Sequence, residues 1–138
     1  MHESGENYLE TILILQKRNG EVRSIDIAEE LGYTKASISR AVSILRENEY
    51  VVMNAGGAIE FTDKGREKAE AIYERHLLIS RFLECSLDLD HETAEKDACR
   101  IEHIISPETF RRIKNYVGAC EKAAEDGKGA ENAYTEGS

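Results

Sequence analysis

Apolar side chains recur at helical spacing over most of the chain. A first apolar stripe, formed by Tyr8, Ile12 and Leu15, predicts a helix over about residues 6–17. Apolar residues at the i, i+3, i+4 and i+7 positions predict another helix over about residues 35–48. The sequence contains only one proline. These patterns predict a mainly α architecture with a small amount of β structure.

Residues 24–48 have the pattern of a helix-turn-helix. A short helix over residues 25–31 is followed by Gly32, and glycine favours the positive φ that such a turn needs. Ala28 is small where the two helices would cross, and Thr34 can cap the second helix. A helical hairpin with no role in DNA binding is the alternative that this pattern leaves open.

Charge suggests a role for the second helix of this pair. From Tyr33 to Arg46 the sequence contains three basic residues and no acidic one, although the formal net charge of the chain is −9. Local positive charge and short hydroxyl side chains suit phosphate and base-edge contacts, so we interpret this helix as a recognition helix. The candidate DNA-binding residues on it are Thr34, Lys35, Ser37, Ser39, Arg40 and Ser43.

A β-hairpin is predicted directly after the recognition helix. Extended runs over residues 50–53 and 58–61 flank residues 54–57, where two glycines provide the positive φ of a tight turn. A hairpin in this position is the wing of a winged helix. Lys64, at its base, is a candidate contact to the sugar-phosphate backbone, although it could equally be a solvated surface charge.

A later helix, predicted over about residues 92–105, carries ligand-type side chains. At about 100° per residue, Glu95, Cys99, Glu102 and His103 lie on one face. The adjacent face is apolar, so we expect it to pack in a core. A thiolate, carboxylates and an imidazole can together hold a transition metal. The alternative is that these groups are solvated or hydrogen-bonded and that Cys99 is a small hydrophobe.

The composition limits the function classes. The 18 Lys and Arg residues against 27 Asp and Glu residues argue against a protein that coats nucleic acid indiscriminately, so any DNA contact must be a local basic patch. The three cysteines include no Cys-x-x-Cys pair, so we expect no disulfide framework and a reducing cytosol. No apolar run approaches the roughly 18 residues of a membrane span, and we expect a cytoplasmic protein without membrane contact.

The predicted elements define the domain organisation. Residues 1–65 form the predicted winged helix-turn-helix DNA-binding domain. A connector helix, a metal-binding region and a dimerisation region make up residues 66–122. Residues 123–138 lack apolar periodicity and are predicted to be a flexible tail. A last apolar stripe is a candidate homodimer contact, and it consists of Phe110, Ile113, Tyr116 and Val117.

The run Cys-Arg-x-Glu-His at residues 99–103, together with the helix-turn-helix and the pair Arg75 and His76, resembles the diphtheria toxin repressor family. The resemblance covers the chain from Asn7 to about Val117. It implies a homodimeric, metal-dependent repressor of transcription, in which a winged helix is joined by a long helix to a helical dimerisation domain. In length the chain is similar to the shorter manganese transport regulators, so no C-terminal SH3-like domain is expected.

The resemblance also implies a set of metal ligands. Besides the Cys, Glu and His of the specific run, it adds His76 on the connector and Glu10 on the first helix. Asn7 falls where iron-responsive members have methionine and manganese-responsive members have aspartate, but it still offers a carbonyl oxygen. Ser80 replaces a glutamate of an ancillary site, and Glu95 could compensate for this change.

The metal that we expect is Fe²⁺, with Mn²⁺ as the first alternative and Zn²⁺ or Co²⁺ after it. The thiolate of Cys99 moves preference away from Mn²⁺, whereas the carboxylates of Glu10 and Glu102 are hard ligands that suit it. Two other functions stay open: a winged-helix repressor that responds to an organic ligand, and a metal hydrolase. No enzymatic activity is expected, because the sequence shows no separate nucleophile, general base or glycine-rich substrate loop.

Overall fold

The computed structural model describes residues 3–126. The chain divides into two compact units, and the boundary falls between Tyr73 and Glu74, inside the fourth helix. The described elements are α1 (Glu3–Asn19), α2 (Ser24–Leu31), α3 (Lys35–Glu47), β1 (Val51–Met53), β2 (Ile59–Phe61), α4 (Asp63–Leu87), α5 (His91–Ile101) and α6 (Pro107–Asp126). The predicted mainly α fold is therefore confirmed. Within this range no helix is both long and apolar enough to cross a bilayer.

Two helix ends differ from the prediction. α5 ends at Ile101, and the predicted remainder, residues 102–105, forms a turn and a bend. α6 continues to Asp126, so residues 123–126 are helical although they were predicted to belong to the tail. The remainder of the predicted flexible tail, residues 127–138, lies outside the described residues.

α2 and α3 form the helix-turn-helix of the first unit. The chain reverses at Gly32, whose φ of 70° lies in the left-handed region that favours glycine. Thr34 caps α3, because its Oγ1 accepts a hydrogen bond from the backbone N–H of Ser37 at 3.1 Å. The core of this unit is mostly aliphatic and includes Leu9, Ile12, Leu13, Leu15, Val22, Ile27, Ile38, Val42, Leu45, Val51 and Ile59.

β1 and β2 form the predicted hairpin. The strands pair antiparallel, with Val52 opposite Glu60. Asn54 closes the turn, because its Oδ1 accepts hydrogen bonds from the backbone N–H groups of Gly56 at 2.9 Å and of Ala58 at 3.0 Å. The side chain of one residue therefore shapes the tip of the wing.

The beginning of α4 packs closely against the chain that leads into β1. Thr62 joins the two segments: its Oγ1 accepts from the N–H of Gly65 at 3.0 Å and donates to the carbonyl of Glu49 at 2.6 Å. A Cβ added at Gly65 would lie 1.8 Å from the carbonyl oxygen of Tyr50. Only glycine therefore fits at this position without a change in the backbone.

The second unit contains the C-terminal part of α4 together with α5 and α6. Its core consists of Ile79, Leu83, Ala94, Ala98, Ile113 and Val117. Two members of the predicted dimer stripe, Ile113 and Val117, are thus buried within their own chain. These two side chains have almost no surface left for a partner, so Phe110 and Tyr116 are the members of the stripe that could still contact one, and the role of the stripe in the dimer stays a prediction. Tyr116 is 47% exposed, and its ring lies edge-on to that of Phe82.

A disulfide joins Cys85 of α4 to Cys120 of α6. The expectation that the cysteines form no disulfide was therefore wrong. The two residues are 35 positions apart, and their pairing depends on the packing of α4 against α6, which sequence spacing alone does not reveal. Cys99 is outside this disulfide and is exposed.

Candidate metal centre and DNA-binding surface

Three of the predicted ligands meet in the second unit, around the imidazole of His76 on α4. The Nδ1 atom of His76 lies 2.9 Å from Oε2 of Glu102, and its Nε2 atom forms a short contact with Oε2 of Glu95. His76 and Glu102 are buried, whereas the side chain of Glu95 is 35% exposed. One buried imidazole is therefore held between two carboxylates.

His103 extends this cluster. Its Nε2 atom lies 3.2 Å from Oε1 of Glu102, and both side chains are almost completely buried. Although this pair lies within ion-pair distance, Oε1 of Glu102 accepts no hydrogen bond among the residues that the structure describes. A buried carboxylate is unfavourable unless its charge is balanced, and a bound cation would balance it. Imidazole nitrogen and carboxylate oxygen are ligands that suit the first-row divalent metals.

The local structure of α5 explains how these side chains come together. Ala94 and Ala98 are fully buried, so α5 packs into the core through small side chains. Although the helix ends at Ile101, the N–H of Glu102 still donates to the carbonyl of Ala98 at 3.0 Å. This hydrogen bond keeps Glu102 at helical spacing from Glu95, so both carboxylates reach the same imidazole.

The other predicted ligands are found in different settings. Cys99 is exposed on α5. Asn7 and Glu10 lie on α1 in the first unit, where Glu10 is buried and Asn7 is half-buried. Ser80 is buried on α4, and its hydroxyl has no hydrogen-bond partner within residues 3–126. The roles of Asn7, Glu10 and Cys99 as ligands stay predictions based on the family resemblance.

The recognition helix presents its predicted DNA-binding side chains unequally. Four of them are exposed on α3, namely Lys35, Ser39, Arg40 and Ser43. Thr34 and Ser37 instead interact with each other, because Oγ1 of Thr34 lies 3.0 Å from Oγ of Ser37 as well as accepting the N–H of that residue. We therefore expect Thr34 and Ser37 to act mainly by fixing the beginning of α3.

The turn before α3 carries an aromatic contact. Tyr33 is 55% exposed, and its ring lies edge-on to that of Tyr8 on α1, with 6.4 Å between the ring centres. Burial raises the pKa of the Tyr8 phenol, and the neighbouring Tyr33 raises it further. A phenol with the ordinary pKa of about 10 is already neutral at pH 7, so Tyr8 adds no negative charge beside the recognition helix.

Basic residues near the wing have defined partners. The Nζ atom of Lys64 donates to the carbonyl of Asn48 at 2.9 Å and lies 4.5 Å from the ring centre of Tyr50. Sequence reasoning missed Arg23, whose guanidinium donates to the carbonyl of Gly56 at the wing turn. Residues 51–61 contain no lysine or arginine, and this absence could have prompted a search for a basic residue outside the wing, such as Arg23.

Fold and site together define a class of protein. A winged helix-turn-helix with an exposed basic recognition helix is typical of proteins that bind duplex DNA. The buried imidazole and carboxylates of the helical unit are typical of a metal site.

Comparison with known proteins agrees with this class. Residues 1–58 match the sequence model described as "Iron dependent repressor, N-terminal DNA binding domain", and residues 62–129 match "Iron dependent repressor, metal binding and dimerisation domain". The chain is 33% identical over 114 residues to the HTH-type transcriptional regulator MntR of Geobacillus kaustophilus, covering 83% of this chain and 80% of that protein. It is 31% identical over 111 residues to the diphtheria toxin repressor of Corynebacterium diphtheriae, covering 80% of this chain and 49% of that protein.

A solved structure gives the same result. The structure described as "Manganese-dependent transcriptional repressor complex with manganese" matches with a TM-score of 0.76 and 29% identity. The match covers 83% of this chain and 52% of that one, so the chain spans about half the length of this neighbour.

The chain therefore belongs to the iron-dependent repressor family, and the resemblance drawn from its sequence is confirmed. Members of this family are metal-sensing transcriptional repressors, not enzymes, and they combine operator-DNA binding with a dimerisation domain.

Proposed function

We propose that this protein is a homodimeric repressor that senses intracellular Fe²⁺ or Mn²⁺ and controls genes of metal homeostasis. The observation that carries the proposal is the buried imidazole of His76 between the carboxylates of Glu95 and Glu102. As a regulator of transcription it would act in the cytoplasm, where the chromosome of a bacterial or archaeal cell lies.

The donor set of the second unit fits a divalent metal. We propose that His76, Glu95, Glu102 and His103 supply its ligands from α4, from α5 and from the turn after α5. The buried Oε1 atom of Glu102 supports this fit, because it lies 3.2 Å from Nε2 of His103 but accepts no hydrogen bond in the described part of the chain. Asn7, Glu10 and Cys99 are further proposed ligands, and for these three the support is the family resemblance.

Cys99 distinguishes the two candidate metals. If its thiolate joins the ligand set, the softer sulfur favours Fe²⁺ over Mn²⁺, and Co²⁺ or Zn²⁺ would also bind. We propose Fe²⁺ on this ground. The exposure of Cys99 supports Mn²⁺ as the second candidate, because oxygen and nitrogen ligands alone suit that ion.

α4 offers a route from metal binding to DNA binding. This helix is continuous from Asp63 to Leu87, so the residue that begins it at the wing and the ligand His76 belong to one element. A metal that binds one arrangement of the protein more tightly than another shifts the population toward that arrangement. A coupling of about 1–3 kcal/mol would change operator affinity by roughly 5- to 150-fold.

The decisive experiment measures operator binding by fluorescence anisotropy. The operator is first selected from a random-sequence duplex library, and the protein is then titrated anaerobically with Fe²⁺, Mn²⁺ or Zn²⁺. We expect a metal-dependent gain in affinity for the parent protein and for Glu92→Gln, a matched control on the exposed end of α5 that contacts Lys96. Glu102→Gln, which keeps the shape but removes the buried charge, should lose the gain.

Two outcomes separate the alternatives. Equal DNA affinity with every metal and with chelator would contradict metal sensing and return the organic-ligand repressor to consideration. A Cys99→Ser variant that loses the response to Fe²⁺ but keeps the response to Mn²⁺ would support the iron assignment. An unchanged response to both metals would favour Mn²⁺.

The same assay tests the proposed base reader on α3. Arg40 is exposed and can form two hydrogen bonds to guanine. Arg40→Ala should weaken operator binding by about 1–3 kcal/mol and relax the preference at one base position. Full discrimination by this variant would show that another residue reads that base.

A further inference from the structure

The wing has no positive charge of its own. Residues 51–61 contain no lysine or arginine, and their only charged residue is Glu60. A wing that lies against a sugar-phosphate backbone needs donors or cations for the phosphate oxygens. These must come from backbone amides or from another part of the chain.

Arg23, which precedes α2, brings a cation to the tip of this wing. Its Nη1 atom donates to the carbonyl of Gly56. A Cβ built at Gly57 would lie 3.2 Å from Nη1, and one built at Gly56 would lie 3.7 Å from Nη2. The guanidinium therefore lies beside both glycines of the turn, and a side chain at Gly57 would require it to shift by a few tenths of an ångström.

The backbone on either side of Arg23 is also anchored. The N–H of Arg23 donates to the carboxylate of Asp26 at 2.8 Å. The preceding residue, Val22, accepts a hydrogen bond from the N–H of Ile59 in β2 at 2.7 Å. The position of the guanidinium is thus fixed both from the beginning of α2 and from the wing.

The charges around the tip leave Arg23 available to an anion. Its side chain is 46% exposed, and its nearest acidic partner is Glu21, at 3.6 Å, which is itself 61% exposed. Glu60 contacts the side-chain amide of Asn54. The Nη1 atom of Arg46 lies 3.7 Å from the sulfur atom of Met53 in β1. A guanidinium has five N–H donors in a planar fork, so the bond to Gly56 leaves others for a phosphate.

We infer that Arg23 is the phosphate-binding cation of the wing, held in place by the wing turn itself. This inference rests on the proposed DNA-binding function and adds a specific backbone contact to it. The contact is independent of base sequence, because phosphate oxygens are the same at every base pair.

The salt dependence of DNA binding tests this inference. Fluorescence anisotropy of the metal-loaded protein on the selected operator and on a random-sequence duplex gives the slope of log affinity against log salt concentration. For Arg23→Gln we expect weaker binding to both duplexes and a slope smaller by about 1, since one phosphate contact is lost. Arg23→Lys, which keeps the charge, should retain most of the slope.

Arg18→Gln is the matched control. Arg18 is a surface arginine of the same unit, 54% exposed and paired with Glu30 at 3.0 Å, so this variant removes the same charge away from the wing tip. We expect it to keep the parent slope. A slope reduced equally by Arg18→Gln and Arg23→Gln would overturn the inference, because net charge alone would then explain the effect.

Two further outcomes separate a failure of this inference from a failure of the proposed function. An Arg23→Gln variant that binds more weakly with the parent slope would overturn the phosphate contact and leave Arg23 a purely structural residue, with faster hydrogen exchange of the wing amides. A parent protein that binds neither duplex with any metal would overturn the proposed function and the inference together.

Discussion

Two turns of the chain show how differently its two units are built. Between α2 and α3, the chain reverses at Gly32 with positive φ, and the hydroxyl of Thr34 satisfies a backbone amide. After α5, the chain turns through Glu102, a buried carboxylate beside two imidazoles. In the first turn, Gly32 and Thr34 meet the backbone requirements, and no further group is needed. The second brings a carboxylate and two imidazoles together in a buried position, a donor set that suits a divalent metal.

The largest expected effect concerns the aliphatic core of the first unit. Ile38 is fully buried in this core. Replacement by alanine should lower the free energy of unfolding by about 2–5 kcal/mol, because it leaves a cavity. Chemical denaturation with and without metal measures this. We expect the same loss with and without metal, because Ile38 lies in the unit whose turn needs no further group. A loss that disappears when metal is bound would contradict this difference between the two units.

Removal of the disulfide should be next in size. The bond between Cys85 and Cys120 closes a segment of 35 residues, and a link of this length contributes about 3–4 kcal/mol in the chain-entropy account. Cys85→Ser should therefore destabilise the oxidised protein and not the reduced one. Cys99→Ser, which keeps the disulfide, is the control and should show the same dependence on reductant as the parent. Equal stability of the oxidised and reduced parent would contradict the prediction.

A bound metal should stabilise the parent protein through the second turn. At a free metal concentration of about 100 times Kd, a ligand that binds only the folded state adds about 2.7 kcal/mol. Thermal unfolding with Mn²⁺, or with Fe²⁺ under anaerobic conditions, should show this gain. Glu102→Gln should lose the gain, whereas Glu92→Gln should keep it. An undiminished gain in Glu102→Gln would show that Glu102 is not a ligand.

The smallest effect concerns the cap of the recognition helix. Thr34→Ala removes the acceptor for the N–H of Ser37 and should cost about 1 kcal/mol of stability. Denaturation should show this loss with and without metal. A much larger loss in operator affinity than in stability would indicate that Thr34 also contacts DNA.

Much of the first unit could be predicted because its signals are local. Gly32, Thr34 and the glycines of the wing turn each act within a few residues of their own position, so their spacing predicts the turns they make. Arg23 was missed because its contact with Gly56 joins positions 33 residues apart. A contact between residues that are distant in sequence cannot be predicted from the periodicity of apolar residues.

In the second unit, periodicity predicted the shared face of α5 but not its partners. Glu95 and Glu102 follow from helical spacing, and their contact with His76 depends on how α4 packs against α5. The end of α5 at Ile101 was also missed, since no glycine or proline marks it. The disulfide was missed for the same reason as Arg23, because it depends on tertiary packing.

Gly65 has a consequence for how this protein tolerates mutation. A side chain at position 65 would collide with the carbonyl of Tyr50, whereas a Cβ at Gly118, on the exposed face of α6, would meet no atom within 4 Å. In a library that samples every amino acid, position 65 should therefore accept glycine alone. Position 118 should accept many residues, and alanine there should stabilise α6 by about 0.5–1 kcal/mol. These two glycine positions of the chain are thus expected to differ sharply in the number of substitutions that they tolerate.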